Sequence, residues 1–154
     1  MFFHFPPEKT SADIALPNGY KSEYYKALSS EDSSLLNGQM HKLNSLNIEE
    51  KQAYLGTLTM KKAEFVKTVA EKIRLFNHGR KQLESAIKQR PQNAEYRFLR
   101  LSVQENCPPI LKYNQNIRED AQLIRASYKG LEPEVRSAIL DYCKISRTLK
   151  KEEF

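Results

Sequence analysis

The sequence predicts an all-α fold of stacked antiparallel helical hairpins, with about six to seven helices. Apolar residues recur every three or four positions along most of the chain, which is the period of an amphipathic helix. Glycines and prolines are few, five and seven in 154 residues, and several of them stand where helices would begin or end. This length suits one hydrophobic core, so we expect one helical domain over 20–149, an extended N-terminal arm over 1–19 and a solvated tail over 150–154.

Local signals place three helices in the first part of the chain. The spacing of apolar residues predicts a short helix from Tyr20 to Leu28. Serines and acidic residues over 29–33 are typical of a helix start, and they open a second helix that runs to about Leu43. Asn47 and Glu50 have the spacing of a capping box and predict the start of a third helix.

The third helix needs a break, because a single helix continuing to Arg90 would be roughly 65 Å long. The β-branched segment 66–69 is the best place for that break. The next helix, from about Ala70 to Gln89, shows the clearest apolar stripe in the chain. Its members include Ile73, Phe76, Gly79, Leu83 and Ile87. A glycine in that stripe predicts the close approach of a neighbouring helix.

The helix predicted from Ala94 to Asn106 is apolar on two sides. One face carries Phe98 and Leu101, and the other carries Tyr96 and Leu99. A helix with two apolar faces lies between neighbours, so we expect this one to be central, flanked by the helices that begin near Ala70 and Ile117.

Prolines and glycines divide the last third of the chain. Pro108 and Pro109 end the central helix, because proline lacks the backbone donor that a helix requires. A further helix is predicted from near Ile117 to about Ser127. Pro133 suits the first turn of a last helix, whose apolar positions continue to Leu149.

Charge and composition exclude several classes of protein. The formal charge is +6, but acidic residues are interspersed with the basic ones, which favours a solvated, mildly basic surface over a dedicated site for a polyanion. No segment has the roughly 20 apolar residues of a membrane span. Two cysteines are too few for a disulfide framework; free thiols are the favoured state, and a single disulfide is the alternative.

The sequence lacks the residue patterns that catalysis or cofactor binding requires. The three histidines are far apart in sequence and form no metal-binding pair, and the glycines are too isolated for a phosphate-binding loop. No serine or cysteine has the signature of a nucleophile. The sequence therefore predicts no enzyme, no cofactor and no metal.

Two segments are candidates for contact with a partner. Arg97, Arg100 and Gln104 form a polar stripe on the central helix that would suit a carboxylate or phosphate. The favoured alternative is that these arginines pair internally with carboxylates, since a sandwiched helix offers little open surface. The candidate internal carboxylates are Glu84, Glu119 and Asp120, and Glu105 is expected to have an internal partner as well.

The other candidates for partner contact are aromatic. Phe2, Phe3 and Phe5 make the N-terminal arm a candidate docking segment, because exposed aromatic side chains need a surface to cover. Tyr113, between Lys112 and Asn114, is one of the few aromatic residues interleaved with polar or basic ones, the pattern of nucleic-acid binding.

The segment 86–95, AIKQRPQNAE, resembles the junction between tetratricopeptide repeats, and Tyr54-Leu55-Gly56 is similar to the first-helix signature of that repeat. The likeness covers one junction, and it implies a tetratricopeptide-like orthogonal bundle. The wider stretch 54–124 contains Leu55-Gly56, Met60-Lys61-Lys62-Ala63, Phe98-Leu99-Arg100-Leu101, Gln104-Glu105-Asn106 and Tyr113-Asn114. With these segments it is similar to a group of small uncharacterised bacterial proteins. That likeness implies an exported protein shown without its leader, and hence an extracytoplasmic rather than cytoplasmic location.

These observations together favour a non-enzymatic helical scaffold or accessory subunit that binds a protein partner. A nucleic-acid-associated protein that uses its basic surface is the alternative, and a small-molecule enzyme is a third reading. The sequence leaves the partner and the oligomeric state open.

Overall fold

The computed structural model describes residues 16–154, so Phe2, Phe3 and Phe5 of the candidate docking arm lie outside the described residues. Over 16–154 the chain forms seven α-helices and no strand, which confirms the predicted all-α class. The helices are α1 (Tyr20–Leu28), α2 (Ser33–Ser45), α3 (Lys51–Lys62), α4 (Val69–Gln89), α5 (Ala94–Asn106), α6 (Ile117–Ser127) and α7 (Pro133–Tyr142). Single turns of 3-10 helix occupy Ala63–Phe65, Pro109–Leu111, Tyr128–Gly130 and Lys151–Glu153.

Helix α5 is the central helix that the sequence predicts, with the predicted bounds. Its two apolar faces enter two separate hydrophobic clusters. Tyr96 and Leu99 join the cluster formed with α1 to α4, whereas Phe98 and Leu101 join the cluster formed with α6 and α7. The single helix therefore links both halves of the core, and its side chains are buried on nearly all sides.

Helices α3 and α4 form an antiparallel hairpin with almost no space between their backbones. A Cβ added at Gly56 would lie 2.7 Å from the carbonyl oxygen of Gly79 and 2.8 Å from the backbone nitrogen of Leu83. A Cβ added at Gly79 would meet the carbonyl oxygen of Gly56 and lie 2.9 Å from the backbone nitrogen of Met60. The predicted close approach at Gly79 is confirmed, and Gly56 is the residue that it meets.

The predicted break between α3 and α4 is also confirmed. Val66 is extended, and Thr68 begins α4 as its N-cap, with its hydroxyl oxygen accepting a hydrogen bond of 3.2 Å from the backbone nitrogen of Glu71. Asn93 caps α5 in the same way, at 3.1 Å from the nitrogen of Tyr96. Both caps satisfy a backbone donor that the first turn of a helix leaves unpaired.

The capping box predicted from Asn47 and Glu50 is wrong. Helix α3 begins only at Lys51, and Glu50 stands at the N-cap without a side-chain hydrogen bond to the helix. Two tertiary contacts hold this segment instead. Ile48 is buried in the core, and the carboxylate of Glu50 lies 3.8 Å from the ammonium of Lys21.

The last helix is shorter than its apolar pattern predicts. Helix α7 ends at Tyr142, Ile145 is 70% exposed, and Leu149 is buried without being helical. The reason is tertiary, because the segment after α7 wraps around the carboxylate of Glu105 on α5. Beyond it, the exposed turn Lys151–Glu153 leads to Phe154, whose ring packs 4.6 Å from that of Tyr128.

Candidate functional site

Helix α5 buries four charged side chains and one amide, and such buried polar groups are candidates for a functional site. Glu95, Arg97, Arg100, Gln104 and Glu105 are each between 3% and 8% exposed. Charged side chains are almost never buried unless they are paired. Their partners decide whether this helix carries chemistry or holds the fold together.

Asp120 on α6 is the centre of the first cluster. It is completely buried, and its Oδ1 accepts hydrogen bonds from Arg97 Nη1 at 2.8 Å and Arg100 Nη2 at 2.7 Å, while its Oδ2 accepts one from Arg100 Nε at 2.7 Å. Burial by itself disfavours the charged form of Arg100, but the contacts with Asp120 outweigh it and raise its pKa above the ordinary value. Two guanidinium groups thus share one buried carboxylate.

The remaining guanidinium nitrogens of both arginines also donate hydrogen bonds. Arg97 donates to the backbone carbonyl of Pro91 at 2.8 and 3.0 Å and to Glu119 at 2.7 Å. Arg100 lies 3.1 Å from Glu84, which also accepts a 2.6 Å hydrogen bond from the hydroxyl of Tyr113. The internal pairing favoured by the sequence is confirmed, with the carboxylates that it names.

Glu95 is the centre of a second cluster, between α5, α1 and α3. Its carboxylate accepts hydrogen bonds from Tyr54 at 2.5 Å, from Tyr25 at 2.8 Å and from the ammonium of Lys21 at 3.0 Å. Burial disfavours the ammonium form of Lys21, yet Glu95 and Glu132 raise its pKa above the ordinary value. This carboxylate has three donors and no open side toward a substrate.

The tyrosines around these clusters predict how the protein responds to alkali. Burial, followed by neighbouring carboxylates such as Glu95, raises the pKa of Tyr24, Tyr25 and Tyr54 well above the ordinary value. In the unfolded chain these phenols ionise near pH 10, so stability is unaffected below about pH 10 and falls as the pH rises above it. Each such phenol removes up to about 1.4 kcal/mol per pH unit in that range.

We therefore expect phenolate absorbance and loss of helical circular dichroism to appear together in one cooperative transition between about pH 10 and 12. Four further tyrosines with raised pKa values, all dominated by burial, add to the effect: Tyr20, Tyr96, Tyr113 and Tyr142. Gradual ionisation of most tyrosines with full retention of the helical signal would contradict this account.

Glu105 is the centre of the third cluster, at the C-terminal end of α5. It accepts hydrogen bonds from the hydroxyls of Ser146 and Thr148, at 2.6 and 3.0 Å, and from the backbone nitrogen of Arg147 at 3.0 Å. The neighbouring Gln104 exchanges two hydrogen bonds of 3.0 Å with Asn116, the residue before α6. Both side chains fasten the chain that leaves or enters a helix.

The structure therefore places four predicted partner-binding residues inside the protein. Arg97, Arg100, Gln104 and Tyr113 are buried, and the polar groups described above bond to other parts of the chain. They stabilise the packing of α5 against α4 and α6. The aromatic residues of the candidate docking arm lie outside the described residues.

A cavity of about 210 Å³ lies at the end of α5, and the thiol-bearing residue Cys107 forms part of its wall. It is lined by Cys107, Pro108, Tyr113 and Arg147 among others. Cys107 and Cys143 are both free thiols, and burial raises the pKa of each. A thiol with a raised pKa is protonated at neutral pH and is a poor nucleophile.

Among residues 16–154, no three His, Cys, Asp or Glu side chains are grouped so that they could hold a metal ion. No helix in that range is both long and apolar enough to cross a bilayer.

The end of the α3–α4 hairpin is the surface that stands out. Phe76, Leu83 and Ile87 of the α4 stripe are buried, but Val69 and Ile73 continue the same stripe and are 71% and 44% exposed. All residues from 67 to 74 are exposed. The first two turns of α4 thus extend past the helices that cover the rest of its apolar face.

The sequence pattern could not separate Ile73 from Phe76, because both fit one helical stripe. What differs is whether a neighbouring helix reaches them. We name Val69 and Ile73 the exposed apolar pair.

Comparisons of the chain with protein-family models, with curated proteins and with solved structures find no significant match.

Proposed function

We propose that this chain is a non-enzymatic helical scaffold that binds a protein partner through the end of the α3–α4 hairpin. The observation that supports it is the exposed apolar pair, Val69 and Ile73, which lie one helical turn apart and continue a stripe that is buried elsewhere. Apolar side chains grouped on a surface mark sites of association. A helix end that presents them on a preformed backbone binds without a large cost of ordering.

The clusters on α5 support the non-enzymatic part of the proposal. General acid–base catalysis needs a carboxylate or amine within reach of a substrate. Asp120, Glu95 and Glu105 instead each accept at least three hydrogen bonds from the protein. Charge pairs of this kind hold elements in register.

Site-specific photo-crosslinking in the native host tests the proposal. A photoreactive amino acid at position 73 is expected to give a discrete protein adduct. The matched control is position 35 on α2, because Leu35 is 43% exposed against 44% for Ile73. Equal adducts at both positions, or none at position 73, would overturn the proposal.

A second variant tests whether the adduct depends on binding through the apolar pair or on random collision with another protein. With the crosslinker placed at Asn77, the change V69S/I73S is expected to abolish the adduct while the helical signal and Tm stay unchanged, since both residues are exposed. An undiminished adduct would show that the apolar pair does not hold the partner. The tetratricopeptide likeness, the extracytoplasmic location and the role of the N-terminal arm stay predictions.

A further inference from the structure

The basic excess of the protein is concentrated on the same hairpin. Residues 61–90, which include all of α4, contain nine Lys and Arg but only three Glu. Their net charge of +6 equals the formal charge of the whole chain. The even spread of charge that the sequence suggests therefore does not describe this segment.

Two of the three glutamates in this segment form ion pairs with other residues, so they do not neutralise the exposed basic side chains of α4. Glu64 pairs with Lys61 at 2.7 Å. Glu84 is turned toward α5, where it binds Arg100 and Tyr113. Of the two glutamates within α4, only Glu71, in the first turn, is exposed.

Three basic side chains form a line along α4. Arg74, Lys81 and Lys88 are all exposed and stand seven residues apart, so they lie on one face over about 21 Å. Among residues 16–154, none of the three has a carboxylate within ion-pair distance. We name these three residues the basic row.

We infer that the partner presents an acidic amphipathic helix, which lies along α4 with carboxylates against the basic row and apolar side chains against Val69 and Ile73. This inference rests on the proposed function. A helix with acidic residues at heptad spacing repeats its charges at the same interval as the basic row, so the two match over their whole length. Complementary charge of this kind sets register and speeds association.

A nucleic acid fits the surface less well. A charged phosphate backbone makes no favourable contact with the exposed apolar pair. Single-stranded nucleic acids also need aromatic side chains for base stacking. In the described part of the chain, the large exposed hydrophobic residues are all aliphatic: Leu35, Val69, Ile73, Ile110 and Ile145.

Fluorescence anisotropy with defined probes tests the inference. The first probe is a labelled synthetic helix of about 21 residues with Glu at every seventh position and Leu on the flanking stripe. The second is a scrambled peptide of the same composition, and the third is a DNA duplex of similar length. We expect the heptad peptide to bind most tightly and to weaken as salt is raised.

The variant that tests the basic row is R74Q/K81Q/K88Q. We expect it to weaken binding of the heptad peptide about tenfold. The matched control, K26Q/R118Q/K129Q, removes one Arg and two Lys that are also exposed, and it should change the affinity by less than about twofold.

Three outcomes would overturn the inference. Tighter binding of the duplex, lost in the basic-row variant, would assign the surface to nucleic acid. Equal weakening by the control variant would mean that diffuse charge is responsible, and no binding of the heptad peptide would remove the inference altogether. If the crosslink at position 73 persisted in any of these cases, the scaffold proposal would stand, and only the inference of an acidic helical partner would be rejected.

Discussion

Replacing Asp120 by Asn is expected to lower the free energy of unfolding by at least about 3 kcal/mol. The carboxylate is completely buried and accepts hydrogen bonds from two guanidinium groups, those of Arg97 and Arg100. Without the carboxylate charge, the two buried guanidinium groups still lie close together, and their positive charges are no longer fully balanced. The packing of α5 against α6 would be lost first, because this cluster lies between them. Urea unfolding followed by circular dichroism measures the change.

The control for this variant is Glu119→Gln. Glu119 binds the same Arg97, at 2.7 Å, but its side chain is 63% exposed. An exposed ion pair contributes little, so we expect a loss of less than about 1 kcal/mol. Similar losses in the two variants would mean that burial of the Asp120 charge does not control stability.

Replacing Gly79 by Ala is expected to destabilise the protein by about 2–3 kcal/mol, although alanine favours a helix by about 1 kcal/mol. The added Cβ would meet backbone atoms of Gly56 and Met60, which cannot rotate away as a side chain can. The hairpin would have to open. Thermal and urea unfolding measure the effect, and a stabilised variant would contradict the close packing.

Two further glycines make this prediction sharp. Gly38 on α2 has nothing within 4 Å of an added Cβ, so Gly38→Ala is expected to stabilise the protein by about 0.5–1 kcal/mol. Gly56→Ala should cost about as much as Gly79→Ala. Because the two glycines meet each other, the double variant should cost less than the sum of the two single changes.

Much of the fold follows from local signals. The bounds of α1 and α5, the break at 66–69 and the end of α4 are predictable, because they depend on caps, prolines and apolar periodicity within a few residues. The pairing of Arg97 and Arg100 with carboxylates is also predictable, since a helix with two apolar faces buries its charged residues as well. The predictions fail where contacts with residues distant in sequence decide the structure. These places are the start of α3, near Ile48, and the segment after Tyr142.

The sequence by itself determined the helical class and the central position of α5, and it favoured internal pairing of the α5 arginines, because periodicity and the cost of burying charge act on any chain with this pattern. Only the tertiary structure decided which part of α4 is left uncovered. Val69 and Ile73 have the same periodicity as Phe76, and they differ only in lying beyond the reach of neighbouring helices. The candidate docking surface therefore exists because α4, the longest helix of the described residues, extends beyond the helices that pack against it.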